Sequence, residues 1–238
     1  LRSNTIYLYK KNSIGLQLTI SKDFFILNHE RFQKKLNELK SLKSITIHLH
    51  AYYDSLISKK KETLLFINTL NNFLRSFENI KGFCIHPDNV SNYIFLKKLK
   101  IKKRYMAIEV CDLKSKSGNN IKEIRKILRD NNFLDLVLDS SHIEQIREKY
   151  PNELTIQQYF NEFRKKTVEI QISSNKNEYK KNIFTNNFNT DHCLLTLSDK
   201  KIYKDLLKIE GLNKINLVIE GVVPFNKYGF SLLKNEIK

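Results

Sequence analysis

Five of the six histidines in this chain stand at or beside the ends of short apolar runs, and acidic or amide residues close the other runs. Ser-Ile-Thr-Ile-His-Leu-His ends at His50, Gly-Phe-Cys-Ile-His at His86 and Tyr-Met-Ala-Ile-Glu at Glu109. Leu-Val-Leu-Asp ends at Asp139 with His142 three residues on, Val-Glu-Ile-Gln presents Gln171, and Leu-Val-Ile-Glu ends at Glu220. His192 falls in a later loop segment, Thr-Asp-His-Cys-Leu-Leu. Neutral imidazoles and carboxylates together are what a divalent-metal site requires, and a carboxylate can bridge two ions. Taken singly, each residue has an ordinary alternative: a strand-end acid often caps a helix, and a histidine is often a hydrogen-bonded core residue. Recurrence at so many run ends is what favours a shared site. His48 points to the same side of its strand as His50 but lies deeper, where packing is the expected role.

The elements that must position these residues alternate. Short β-branched or aromatic runs give strands at Thr5–Tyr9, Ser44–His50, Gly82–His86, Tyr105–Glu109, Leu134–Asp139, Val168–Ile172 and Asn216–Glu220. Amphipathic Lys/Glu-rich segments between them predict helices over 29–42, 59–78, 90–100, 119–131, 153–165, 199–209 and 226–237. Repeated βα units imply a parallel sheet. The expected fold is therefore α/β, a (β/α)8 TIM-type barrel formed by residues 1–238 as a single domain, since no Pro/Gly/Ser-rich linker interrupts the series. Seven strands are one short of closure, so the first βα unit is expected to be missing or altered. Residues 14–20 could be a further strand, but they follow Tyr9 too closely for a parallel crossover. In such a barrel every strand's C-terminus opens on one face, which would bring the strand-end residues together.

Composition narrows the setting. The 238 residues carry 42 Lys+Arg against 25 Asp+Glu, a formal charge of +17, and 41% are hydrophobic. That apolar share suits a packed core rather than disorder. Only eight of the basic residues are arginine, and Lys, Asn and Ile abound throughout, so an ordinary solvated surface explains the charge better than a dedicated phosphate-binding face. Any polyanion would still be attracted, more strongly at low salt. Cys84, Cys111 and Cys193 share no metal-ligand spacing and form no even framework, which points to a reducing interior. With no membrane-length apolar run and no signal-peptide pattern, the sequence reads as a soluble, cytoplasmic protein of undefined oligomeric state.

In that order, His50, His86, Glu109, Asp139-Ser-Ser-His142, Gln171, His192 and Glu220 resemble the xylose-isomerase-like TIM-barrel superfamily. The superfamily includes endonuclease IV apurinic-site nucleases and many sugar isomerases and epimerases. The likeness runs from about residue 44 onward. His86-Pro87-Asp88, Glu109-Val-Cys-Asp112-Leu-Lys114 and Asp139 with His142 look most like its uncharacterised members, while His50-Ala51-Tyr52-Tyr53 resembles the endonuclease IV strand end. The resemblance implies that His50 and His86 bind one ion and that Glu109 bridges it to a second, held also by Asp139 and Glu220. It implies that His142 and His192 serve a third ion or orient substrate, that Gln171 sits in the metal set, and that Tyr53, Lys114 and Asp191 contact substrate. The chain departs from the pattern at Gln171, where members usually place a His, at Ser174, where an Asp often stands, and at Thr190-Asp191, which replaces Asp-Arg ahead of the histidine.

Three functions compete on these residues. A metal-dependent hydrolase would act on a sugar-phosphate-type ester, nucleic acid included, with zinc as the first choice of ion and manganese or iron as alternatives. A sugar isomerase or epimerase would use one ion, held by Glu109, Asp139 and Glu220, while a carboxylate moves the proton; for an enzyme of either kind the expected catalytic residues are Glu109 and Glu220. A barrel with an eroded centre would serve as a binding or interaction module, a reading motivated by Gln171 and the altered Asp191-His192 neighbourhood.

Overall fold

A computed structural model describes residues 16–21, 42–50, 60–75, 77–99, 104–173 and 200–220, with single positions between 28 and 40. Seven strands are found: β1 (Leu16–Ser21), β2 (Ile45–His50), β3 (Ile80–Ile85), β4 (Tyr105–Glu109), β5 (Asp135–Asp139), β6 (Thr167–Ile172) and β7 (Asn216–Ile219). The α-helices whose bounds fall among the described residues are α1 (Lys60–Arg75), α2 (Ile121–Asp130), α3 (Ser140–Lys149), α4 (Ile156–Phe163) and α5 (Lys200–Leu207); the described positions from 28 to 39 are helical too.

The strands follow one another in a single sheet in the order β1-β2-β3-β4-β5-β6-β7. All the recorded strand pairings are parallel. Among the described residues there is no eighth strand and β7 does not pair with β1, so the expected closed (β/α)8 TIM barrel is wrong. The fold is an open, Rossmann-like α/β sheet. The physical reason lies at the edges. A barrel removes its edges by hydrogen-bonding the first strand to the last, whereas here β1 and β7 are the two ends of the order. Residues 16–21 are a strand after all, parallel to β2 with Leu18 opposite Ile47 and Ile20 opposite Leu49. The expected strand Thr5–Tyr9 and helix 226–237 lie outside the described residues.

Contacts divide the chain into two compact units, Leu1–Ile108 with Leu128–Asp135, and Glu109–Ile127 with Leu136–Lys238. In the first, β2 and β3 bury Ile45, Ile47, Leu49, Phe83 and Ile85. Helix α1 buries Phe66, Ile67, Leu70, Phe73 and Leu74, an i, i+1, i+4, i+7, i+8 stripe that makes one apolar face. Each such side chain removed from water contributes roughly 1.5–3 kcal/mol. The carbonyls left open past the end of α1 are taken by one cation: the Arg104 guanidinium donates to Leu74 O, Phe77 O and Ile80 O. Its burial lowers the guanidinium's pKa from the ordinary value. On β3, Gly82 lies opposite Tyr105 of β4, whose ring fills the space a Cβ would need. The predicted helix over 90–100 is instead two 3-10 turns, Pro87–Asn89 and Tyr93–Lys98. Buried Leu96 and Leu99 are three residues apart, the 3-10 repeat.

In the second unit, β5 and β6 pair with Asp139 opposite Gln171, and β6 and β7 with Gln171 opposite Val218. Helix α3 was not anticipated. It starts at the residue after β5, with no loop between them. Helix α4 opens with a capping box, Thr155 accepting from Gln158 N and Gln158 accepting from Thr155 N. No helix among the described residues is long and apolar enough to cross a membrane.

Candidate metal centre

The second unit gathers Glu109, Asp139 and His142, with one potential ligand atom from each lying within 4.8 Å of the others. Each is placed by a different local device. Glu109 is the last residue of β4, and the chain just beyond it stays in register because Val110 N donates to Val137 O at 3.1 Å. Asp139 ends β5 and caps α3: its Oδ1 accepts from Ser141 N at 2.7 Å, His142 N at 3.1 Å and Ser141 Oγ at 2.8 Å. This fills two of the donors that a helix start leaves open and pins the carboxylate. Capping at Asp139 sets His142 in the first turn of α3, close to the carboxylate that caps it.

One side of the Asp139 carboxylate is thus fully used. Its other oxygen, Oδ2, is buried and receives no hydrogen bond among the described residues, with His142 Nδ1 3.7 Å away. His142 Nδ1 also lies 3.0 Å from Val110 O and 3.3 Å from Glu109 Oε1. A carbonyl oxygen can only accept, so Nδ1 carries the hydrogen in this arrangement. In the neutral ring this leaves the lone pair on Nε2, while Nδ1 is the nitrogen that lies near both carboxylates.

Burial makes the electrostatics severe. Glu109 is 1% exposed, Asp139 0% and His142 5%. Glu169, two residues before Gln171 on the same side of β6, is equally buried, and no Lys or Arg is among the buried residues described. A buried carboxylate costs several kcal/mol in lost hydration unless a cation or hydrogen bonds offset it. Two carboxylates and one imidazole form a donor set that fits zinc, iron or manganese. These groups could hold a metal ion.

Gln171 stands beside the cluster in register with Asp139. Its side chain is fully buried, and neither Oε1 nor Nε2 has a hydrogen-bond partner among the described residues. The Ser140 hydroxyl holds the two strand ends together, donating to Ser173 O at 2.6 Å and accepting from Ser173 N at 2.9 Å.

The other expected site residues lie outside the Glu109, Asp139 and His142 group or outside the described residues. His86 belongs to the first unit, its ring centroid 4.8 Å from that of His48. Glu220 is half-buried past the end of β7, where its N–H donates to Ile172 O, and it joins no ligand group among the described residues. Lys114 is exposed in the loop after β4, its backbone N–H held by Asp112 Oδ1. That loop is closed by Cys111 N donating to Gly118 O, with Gly118 at φ 82°, a left-handed conformation that favours glycine. The imidazole of His50, together with Tyr53, Asp191 and His192, lies outside the described residues.

Sequence reasoning passed over Glu169 and Ser140. The first had a visible signal, an acid at the same strand parity as Gln171. The second had none, because its partner is a backbone group 33 residues away. No protein-family model matches the chain, and no curated protein matches it.

Proposed function

We propose that the chain is a divalent-metal-dependent hydrolase of phosphate esters centred on Glu109, Asp139 and His142. The observation that carries this reading is the convergence of two buried carboxylates and a buried imidazole, with one potential ligand atom from each lying within 4.8 Å of the others. Glu109 and Asp139 supply the charge that retains a dication, and Val110 O and the α3 cap hold His142 and Asp139 in place. When bound, the ion supplies Lewis acidity, activating water and offsetting negative charge on a phosphoryl oxygen. The +17 surface favours anionic substrates. Glu109, Asp139 and His142 are also among the residues that the superfamily resemblance implies for a metal site, and their grouping needs no closed barrel.

A second reading, a one-ion sugar isomerase or epimerase, is favoured by the uncharged amide of Gln171 beside Asp139, since an amide can hold a hydroxyl or carbonyl without competing for charge. Metal analysis and turnover separate the readings. Purified protein reconstituted with zinc or manganese is expected to retain metal and to cleave a simple phosphodiester and an abasic-site duplex. Glu109→Gln should lower metal affinity by about 100-fold or more, since even outer-shell changes cost 10–100-fold. Metal retention without cleavage would turn the choice to the isomerase; no retention would leave an interaction module.

A further inference from the structure

Beside the Glu109, Asp139 and His142 group stands a fully buried amide that the reading above leaves without a partner. Gln171 is 0% exposed, and neither its Oε1 nor its Nε2 has a hydrogen-bond partner among the described residues. Most buried amides are bonded, because a polar group that has lost water without gaining a partner destabilises the fold. Gln171 is one residue from the end of β6 and lies opposite Asp139, the last residue of β5. Register partners on adjacent strands project to the same side of a sheet. The amide and the Asp139 carboxylate therefore share a face at the C-terminal edge, where open parallel sheets take ligands. They do not bond each other: Asp139 Oδ2 is also buried and receives no hydrogen bond among the described residues.

Elimination gives the chemistry of a group that would satisfy the amide. A metal ion held by the carboxylates meets Asp139 Oδ2 but offers Gln171 Nε2 nothing to donate to. An anion takes the Nε2 hydrogens but leaves Oε1 without a donor, beside a buried carboxylate that repels it. A hydroxyl donates and accepts through one oxygen, so it serves both ends of the amide. We infer that Gln171 is a specificity-determining residue of this centre, binding a substrate hydroxyl and so selecting phosphate esters of polyhydroxy alcohols. The inference deepens the phosphate-ester reading and rests on it: the carboxylates and their ion take the charged phosphoryl end, and the uncharged amide takes the alcohol end. An ester whose alcohol part lacks the hydroxyl leaves the amide unpaired and forfeits that gain.

Two non-hydrolysable ligands test this, the phosphonate isostere of glycerol phosphate and that of propyl phosphate, which differ only in their hydroxyls. Each is titrated calorimetrically into the full chain reconstituted with manganese. Wild type should bind the glycerol phosphate isostere about 10- to 100-fold more tightly than the other. Gln171→Met should lose that preference and still retain manganese. The metal-free protein supplies a readout that a purely structural amide would reverse: Gln171→Met, close in length, should raise the urea midpoint, because it removes an unpaired buried amide. Equal binding of the two isosteres by wild type overturns the inference and leaves the metal centre standing, since the amide would then hold no more than a water molecule. A lower urea midpoint in Gln171→Met, or its failure to fold, overturns it as well. Binding of neither isostere removes the phosphate-ester reading and the inference with it.

Discussion

The surroundings of Asp139 and of His86 differ in how they are held. Around Asp139 every neighbour is fixed by backbone: the carboxylate caps α3, His142 is in the first turn of that helix, Val110 O orients its ring, and Ser140 ties the cap to Ser173. Around His86 the polar side chains come from a strand and a three-residue 3-10 turn, and His86 and Asp88 are only half-buried. The first arrangement is oxygen-rich and built into secondary structure, so its geometry exists before any ligand arrives. The second is imidazole-rich and is held by fewer backbone bonds. Preorganisation of that kind costs folding free energy in buried charge, and a looser site avoids the cost at the expense of affinity.

If backbone bonds are what hold the Asp139 centre, then cutting one should hurt it more than cutting the corresponding bond in the other unit. Ser140→Ala removes both halves of the reciprocal bond and leaves Ser173 N–H and C=O without that partner in a buried setting. The expected loss is about 1–3 kcal/mol in unfolding free energy, read from the urea midpoint. Asn92→Ala, which removes the cap of the exposed 3-10 turn, should cost no more than about 1 kcal/mol. Equal losses would erase the distinction between a built centre and a loose one.

These local devices explain what could be read in advance. Strand β4 is found over Tyr105–Glu109, as its apolar run ending in an acid indicates, and β2, β5, β6 and β7 fall within a residue at each end. Strand existence is a short-range property of β-branched and aromatic runs. Closure is not: sequential parallel order is common to a barrel and to an open sheet, and the difference is whether two strands some 200 residues apart meet. Helix α3 escaped because Asp139 serves at once as strand end and helix cap, so no loop residues announce the change. The pairing of Glu109 with Asp139 and His142 was foreshadowed by strand-end chemistry, whereas Ser140 acts through a backbone group that no side-chain pattern reveals.

A smaller effect reports how dry the second unit is. The Tyr159 hydroxyl is buried and faces Glu153 Oε1 at 3.4 Å. Burial first, then the Glu153 charge, pushes its pKa well above the ordinary value of 10. The unfolded phenol ionises near 10 while the folded one keeps its proton, so the folded state binds more protons above that point. Stability from this group is complete below pH 10 and declines as pH rises beyond it, by about 1 kcal/mol at pH 11. The stability of wild type should therefore fall relative to Tyr159→Phe between pH 9 and 11, by on the order of 1 kcal/mol in the denaturant midpoints. A constant difference across that range would mean water reaches the ring.

Asp139→Asn should change stability least and distinguishes most between the centre's two physical descriptions. An asparagine caps a helix about as well as an aspartate, so Ser141 N and His142 N keep their acceptor. Only the charge at Oδ2 is lost. If that oxygen awaits a metal ion, the metal-free protein should lose no stability, because the change removes an uncompensated buried charge, while the rise in thermal midpoint on adding zinc or manganese disappears. If instead Asp139 and Glu109 already neutralise a protonated His142, removing one partner breaks a buried ion pair, and the metal-free protein should lose about 3–5 kcal/mol. The second result would make the cluster self-sufficient, with its charge balanced by its own imidazolium. The half-buried turn at His86 gives the reference: Asp88→Asn should leave metal-free stability within about 0.5 kcal/mol of wild type, because neither of its neighbours depends on that carboxylate for a helix cap.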